Sequence, residues 1–151
     1  KVSKLNRINS IAKVLQRSCV VKSIKVIEGD KVKKGQVLAT MEHPDFIQLQ
    51  QDYINKLNTF KYLEKDYLRQ NELHKNAVGS VKEFEKSKSV YLSTKSDVTA
   101  LKMKLEMLNI NVKKVQQGVI FQAIDIVAPI SGMVSLIETN IGAYIAPKEK
   151  I

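Results

Sequence analysis

Apolar positions change their period twice along this chain. From Ile11 to Glu42, β-branched residues come in short runs (Ile11–Leu15, Val20–Ile27, Val37–Met41) interrupted by Glu28-Gly29-Asp30. Runs of this length bounded by turn residues predict short strands and tight turns. His43-Pro44 closes the segment, because a residue before proline is driven out of the helical region. Pro44 and Asp45 then suit the first turn of a helix.

Residues 45–76 contain neither Gly nor Pro, and Phe46, Leu49, Tyr53, Leu57, Phe60, Leu63 and Tyr67 recur at steps of three and four. That spacing makes one helical stripe. Lys75-Asn76-Ala77-Val78-Gly79-Ser80 interrupts it. Gly79 can take a left-handed turn, and Ser80 can cap a second helix with Glu83 three residues on, as in a capping box. In that helix Phe84, Tyr91, Val98, Leu105 and Val112 stand seven apart, with Ser87, Thr94, Leu101 and Leu108 between them. This is a heptad pattern, so the two segments predict an antiparallel coiled-coil hairpin. Each arm of about 30 residues would be roughly 45 Å long at 1.5 Å per residue.

After Asn109 the pattern reverts. Gly118 breaks the helix, and Ile124, Ile126, Val127, Met133, Val134, Leu136 and Ile137 return in strand-like runs around Ala128-Pro129-Ile130-Ser131-Gly132. Neither strand segment can bury a core alone, so both should join in one β module with the hairpin inserted between its halves. The expected fold class is α+β. The expected domains are 1–43 for the first half of the β module, 44–110 for the hairpin with its tip near 75–80, and 111–151 for the second half.

Composition narrows the partners. The 151 residues carry 25 Lys and Arg against 15 Asp and Glu, a net charge of +10. Residues 1–36 hold ten of those bases against Glu28 and Asp30, whereas residues 44–110 are nearly balanced. No Tyr or Phe precedes Phe46, so the basic N-terminal quarter has no platform on which bases could stack, and nucleic acid is not an expected partner. The single cysteine, Cys19, rules out an intramolecular disulfide and any cysteine-based zinc knuckle. No run approaches the roughly 20 apolar residues that span a bilayer.

No catalytic constellation is present: the sequence has no Gly-rich phosphate cradle and no His-Glu-x-x-His zinc motif. His43 and His74 belong to opposite ends of the first predicted helix, too far apart to share a metal. Met103 and Met107 stand one helical turn apart and are weak candidates for a soft metal such as Cu(I). Methionines so spaced are more often packing residues, and two ligands make a poor site. Lys102-Met103-Lys104 reverses the Met-Lys-Met order of a biotinylation signal and falls within a predicted helix. No cofactor is expected.

Glu28-Gly29-Asp30-Lys31-Val32-Lys33-Lys34-Gly35-Gln36-Val37-Leu38 resembles the first half of a biotinyl/lipoyl-type domain. Ile126 through Val134, followed by Asn140-Ile141-Gly142-Ala143-Tyr144-Ile145, resembles the second. Two such halves split by a coiled-coil hairpin resemble the periplasmic adaptors, or membrane fusion proteins, of tripartite efflux pumps. Met41-Glu42-His43-Pro44-Asp45 through Gln51, with Leu101 through Ile110, are most similar to adaptors of heavy-metal resistance-nodulation-division (RND) systems. The resemblance implies an inner-membrane-associated periplasmic protein that joins an inner-membrane efflux transporter to an outer-membrane channel and assembles in rings, typically hexamers. Tyr62, Leu68 and Leu92 lie outside the main seam and could serve neighbouring copies.

The resemblance also implies a channel-binding tip of Arg, Leu and Ser, which falls on Arg69, Leu73 and Ser80. Gly79 stands where many family members carry an apolar residue. The chain ends before the β module would be complete by the family pattern, which suggests a portion of something longer, without β-barrel and membrane-proximal domains. Alternatives are a type I secretion adaptor and a lipoyl/biotinyl carrier-type domain. The transported substrate, heavy metal or drug, is not legible.

Overall fold

A computed structural model describes residues 19–137 and 139–145. The basic N-terminal cluster up to Arg17, the run Ile11–Leu15 and the C-terminal residues from position 146 lie outside the described residues. The elements are β1 (Cys19–Ile24), β2 (Lys31–Val32), β3 (Val37–Glu42), α1 (Pro44–Lys75), α2 (Val81–Met107), α3 (Val112–Gln116), β4 (Ala123–Val127), β5 (Gly132–Met133) and β6 (Tyr144–Ile145). The chain divides into two compact units, Lys1–Gln48 with Glu106–Ile151, and Leu49–Leu105.

In the first unit, a four-stranded antiparallel sheet has the order β4-β3-β1-β6, and β2 pairs with β5 in a second, two-stranded sheet. β3 therefore lies between a strand that precedes the helices and one that follows them. Glu42, its last residue, pairs with Ala123, the first of β4. Alternation predicts one buried residue in two, and β4 obeys it with Ile124 and Ile126 inside and Asp125 outside. β3 buries Leu38 and Ala39 in succession, and a register irregularity between Val37 and Ala39 accounts for the pair. Val26, Val32, Leu38, Ala128 and Val134 form a buried cluster, with Ile137 packed against it. Each of its buried Val and Leu side chains stabilises the fold by about 1.5–3 kcal/mol, and the Ala128 methyl by less.

The motif Glu28 through Gln36 earns its residue types by what they bond. Gly29 N–H donates to the Val134 carbonyl (2.8 Å), and Val134 N–H to the Asp30 carbonyl (2.9 Å). Gly35 N–H donates to the Ala128 carbonyl and Ala128 N–H to the Gln36 carbonyl, both at 2.8 Å. Side chains complete the stitching: Ser131 Oγ accepts from Lys34 N–H (3.0 Å), and the Glu28 carboxylate accepts from Ile137 N–H (2.8 Å). Asp30 Oδ2 and Gln36 Oε1 accept from Ile27 and Lys33 N–H and close their own turns. Gly29 and Gly35 hold φ of +90° and +85°, the region where a side chain is strained.

One expected element differs. The second helix ends at Met107, and Val112, expected as its last heptad position, opens the separate helix α3. Asn109 takes a left-handed φ of +57° and stops the helix, which asparagine tolerates better than most residues. Asn111 then caps α3, its Oδ1 accepting from Lys114 N–H at 3.1 Å. The heptad stripe continues through this break because Val112 and Val115 are buried in their own right.

Cys19 is fully buried. Burial, with a smaller contribution from the Asp45 charge, pushes its thiol up from 9.0 to about 11. The unfolded chain then loses this proton at a lower pH than the folded one, so stability falls as pH rises from about 9 and levels off above about 11. Urea unfolding at pH 8 and pH 10 should show the wild type losing about 1 kcal/mol relative to Cys19→Ala over that interval. Equal alkaline losses in the two proteins would mean that Cys19 ionises normally in the fold.

Candidate functional site

In the second unit, α1 and α2 face each other through aromatic rings. Phe60 stacks with Tyr91 (centroids 5.5 Å apart), Tyr91 with Tyr67 (4.8 Å), Tyr67 with Phe84 (6.2 Å), and Phe84 with His74 (4.5 Å, planes within 4°). The rings alternate between the helices. Phe60, Tyr67 and His74 are seven residues apart on α1, and Phe84 and Tyr91 seven apart on α2. Contact partners descend on one helix as they ascend on the other, so the pair runs antiparallel. Lys56 Nζ and Asp97 Oδ2, 3.0 Å apart, add an ion pair between the helices. Lys88 and Lys95 place their ammonium groups 5.7 Å from the Phe84 and Tyr91 ring centroids, which adds modest cation–π attraction at this exposure.

The turn between the helices is built by the main chain. Ala77 N–H donates to the His74 carbonyl (3.1 Å), and Val78 N–H to the Leu73 carbonyl (2.9 Å). This is the Schellman pattern, and it puts Ala77 in the left-handed conformation, φ +55°. Gly79 also has positive φ, +104°, as its expected role requires, and a Cβ built there would lie 3.6 Å from Leu73 Cβ. The turn therefore folds back over Leu73. Ser80 enters α2 through its carbonyl, which accepts from Phe84 N–H at 3.1 Å, rather than through the hydroxyl cap expected from its pairing with Glu83.

The structure places Arg69 and Leu73 one turn apart near the end of α1, and Ser80 immediately before α2. Arg69 is exposed and hydrogen-bonds Asp66 through Nη2. Leu73 is 38% exposed, an apolar side chain with part of its surface in solvent. Tyr62, Asp66, Arg69 and Leu73 follow one another at steps of four, three and four, so they share a single face of α1. A shallow groove beside them is lined by Leu63, Asp66, Gln70, Glu83, Lys86 and Val90.

The remaining candidates lie elsewhere. Met103 and Met107 are each 58% exposed on α2, and Lys102-Met103-Lys104 is helical rather than on a β-turn. Among the described residues no group of three or more His, Cys, Asp or Glu could hold a metal, and no helix is long and apolar enough to cross a membrane. Tyr62, Leu68 and Leu92 are exposed. His74 is the residue that sequence reasoning missed. Its signal was its position seven after Tyr67, which extends the ring series by one member.

A split β module closed by reciprocal main-chain bonds, and an antiparallel helix pair between its halves in sequence, define a barrel-sandwich hybrid class of protein. The family model for the RND membrane fusion protein (MFP) barrel-sandwich hybrid domain matches residues 14–150, and the chain belongs to that family. No curated protein matches the sequence. Among solved structures, ZneB from Cupriavidus metallidurans is similar at 22% identity and TM-score 0.54, over 87% of this chain and 54% of ZneB. A putative efflux transporter from Bacteroides eggerthii is similar at 21% and 0.61, over 90% of this chain and 36% of that one. A MacA-MexA chimeric protein containing the Pseudomonas aeruginosa MexA α-hairpin domain is similar at 20% and 0.59, over 87% and 40%. At these identities the likeness is one of fold, and the chain spans about half the length of ZneB or less of the others.

Ala77 supplies a direct test of the turn. A left-handed conformation costs an L-residue roughly 1–2 kcal/mol that glycine avoids. Ala77→Gly should therefore stabilise the helix pair by about 1 kcal/mol, less the entropy that glycine adds to the unfolded chain. Urea unfolding followed by helical circular dichroism measures it. A lowered midpoint would exclude the Schellman turn.

Proposed function

We propose that this chain is the barrel-sandwich and hairpin portion of a periplasmic adaptor that links an inner-membrane efflux transporter to an outer-membrane channel, for export of heavy metals or drugs. The helix pair is the family's inserted coiled-coil hairpin, and Arg69, Leu73 and Ser80 form its channel-docking tip. The full-length protein is held at the inner membrane of a Gram-negative-type envelope. The observation that carries this reading is the exposure of Leu73 on one face with Arg69, beside a turn that orders Ser80. An exposed leucine next to a guanidinium suits a helical partner: the apolar knob enters a hole between side chains, and the fork of donors meets carboxylates or helix-end carbonyls. Ser80, small and exposed, lets another helix approach closely.

Self-association into a ring, typically of six, is part of the proposal. The groove carries Asp66 and Glu83 together with Lys86, and Lys88 and Lys95 stand over their rings. Exposed Tyr62, Leu68 and Leu92 supply apolar contributions to packing between copies. Selectivity for the exported substrate then lies mainly with the pump.

Site-specific cross-linking from position 73 of the full-length protein in cells tests the reading. We expect a product with an outer-membrane channel protein that weakens severalfold in Arg69→Ala and Ser80→Ala backgrounds. Products between adaptor copies alone would remove the tip assignment and leave the hairpin as an oligomerisation element.

A further inference from the structure

Every residue from Glu72 to Glu83 is exposed, so the tip has almost no core of its own. Its order must come from something other than burial of its own side chains. The Schellman bonds fix the turn relative to the last residues of α1, and the Phe84 N–H bond to the Ser80 carbonyl fixes Ser80 relative to the first turn of α2. Neither of these joins one helix to the other. A contact close to the tip that does so is the His74–Phe84 stack.

The geometry of that stack is specific. The planes are within 4° of parallel, with centroids 4.5 Å apart. Phe84 is buried to 9% exposure, although its sequence neighbours Glu83 and Glu85 are exposed. The exposed His74 imidazole thus covers a buried ring. His74 follows Leu73 directly, and its carbonyl accepts the Ala77 bond; Phe84 donates the main-chain bond to Ser80. The stack therefore closes a loop that runs from Leu73 through the two rings to Ser80 and back through the turn.

We infer that His74 is a positioning residue of the tip: its ring, laid on Phe84, holds the end of α1 against the start of α2 and so sets the spacing of Leu73 and Ser80. It acts as an aromatic face rather than as a metal ligand or a proton carrier. This rests on the docking reading only for its consequence, since the ordering itself is a property of this chain. The lysine over the Phe84 ring, Lys88, belongs to α2 and cannot substitute, because it makes no link to α1.

Amide exchange on the 151-residue chain and cross-linking in cells test it together. In His74→Ala, exchange at Ala77, Val78 and Phe84 should rise by about tenfold, with Gly35 and Ala128 in the β module unchanged. His74→Phe should restore protection, since it keeps a flat ring and removes only the ring nitrogens. Cross-linking from position 73 to the channel should fall about tenfold in His74→Ala and recover in His74→Phe. Unchanged exchange at the turn in His74→Ala overturns the inference, as does raised exchange with undiminished cross-linking. A wild-type protein that reaches no channel would sink the docking reading instead, and the exchange rates would still decide whether His74 orders the tip.

Discussion

The reciprocal main-chain bonds between residues 29–36 and 128–134 are the constraint on which the β module depends. Four N–H···O=C bonds of 2.8–2.9 Å join segments about a hundred residues apart in sequence. Each segment satisfies the other's backbone, and neither could do so alone. The buried cluster of Val26, Val32, Leu38, Ala128 and Val134 draws from both, so the core exists only when the halves meet. Entropy of closing a loop grows slowly, by about 0.6 kcal/mol per doubling of length. A long intervening segment is therefore tolerated so long as its two ends return to adjacent positions, and the Glu42–Ala123 pair supplies them.

The helix pair follows a different rule. Its register is set by side chains that alternate across the interface: Phe60, Tyr91, Tyr67, Phe84 and His74. A slip of one residue on either helix would separate every ring from its partner. Stacked aromatic pairs contribute about 0.5–1.5 kcal/mol each beyond their burial, so the ladder opposes slippage along its length rather than at one point. This matters most where apolar burial fades, at the end carrying the turn.

Much of this was legible in the sequence, and the misses have physical causes. Glu28-Gly29-Asp30 was legible as a turn, and its Gly29 takes a positive φ that few other residues accept, whereas Gly35 and the counterpart near Ala128 stood out through the family resemblance. Phe60, Tyr67, Phe84 and Tyr91 were visible as periodic apolar positions. Ala77 was not, because alanine normally favours a right-handed helix and only the Leu73 and His74 carbonyls, as hydrogen-bond acceptors, show why it turns left-handed here. The end of α2 was overrun because Val112 keeps the heptad while Asn109 breaks it, and periodicity counts apolar positions without weighing a left-handed asparagine. His74 escaped notice as a structural ring because its polar chemistry suggested ligation first.

The two rules divide the molecule by how much sequence change it can absorb. Main-chain bonds ask little of side chains beyond a glycine at a positive φ, so a module built on them keeps its fold through extensive divergence. Fold neighbours at 20–22% identity fit that expectation. A ring ladder asks for particular side chains at particular heights, and the exposed end asks for more still, because no core corrects a misplaced residue there. Under the adaptor reading, partner choice therefore concentrates in a few side chains, Arg69, Leu73 and Ser80, and the placement of Ser80 against the two on α1 depends on the His74–Phe84 stack. Changes within the β module should shift stability, whereas changes at this end should shift recognition with little effect on folding.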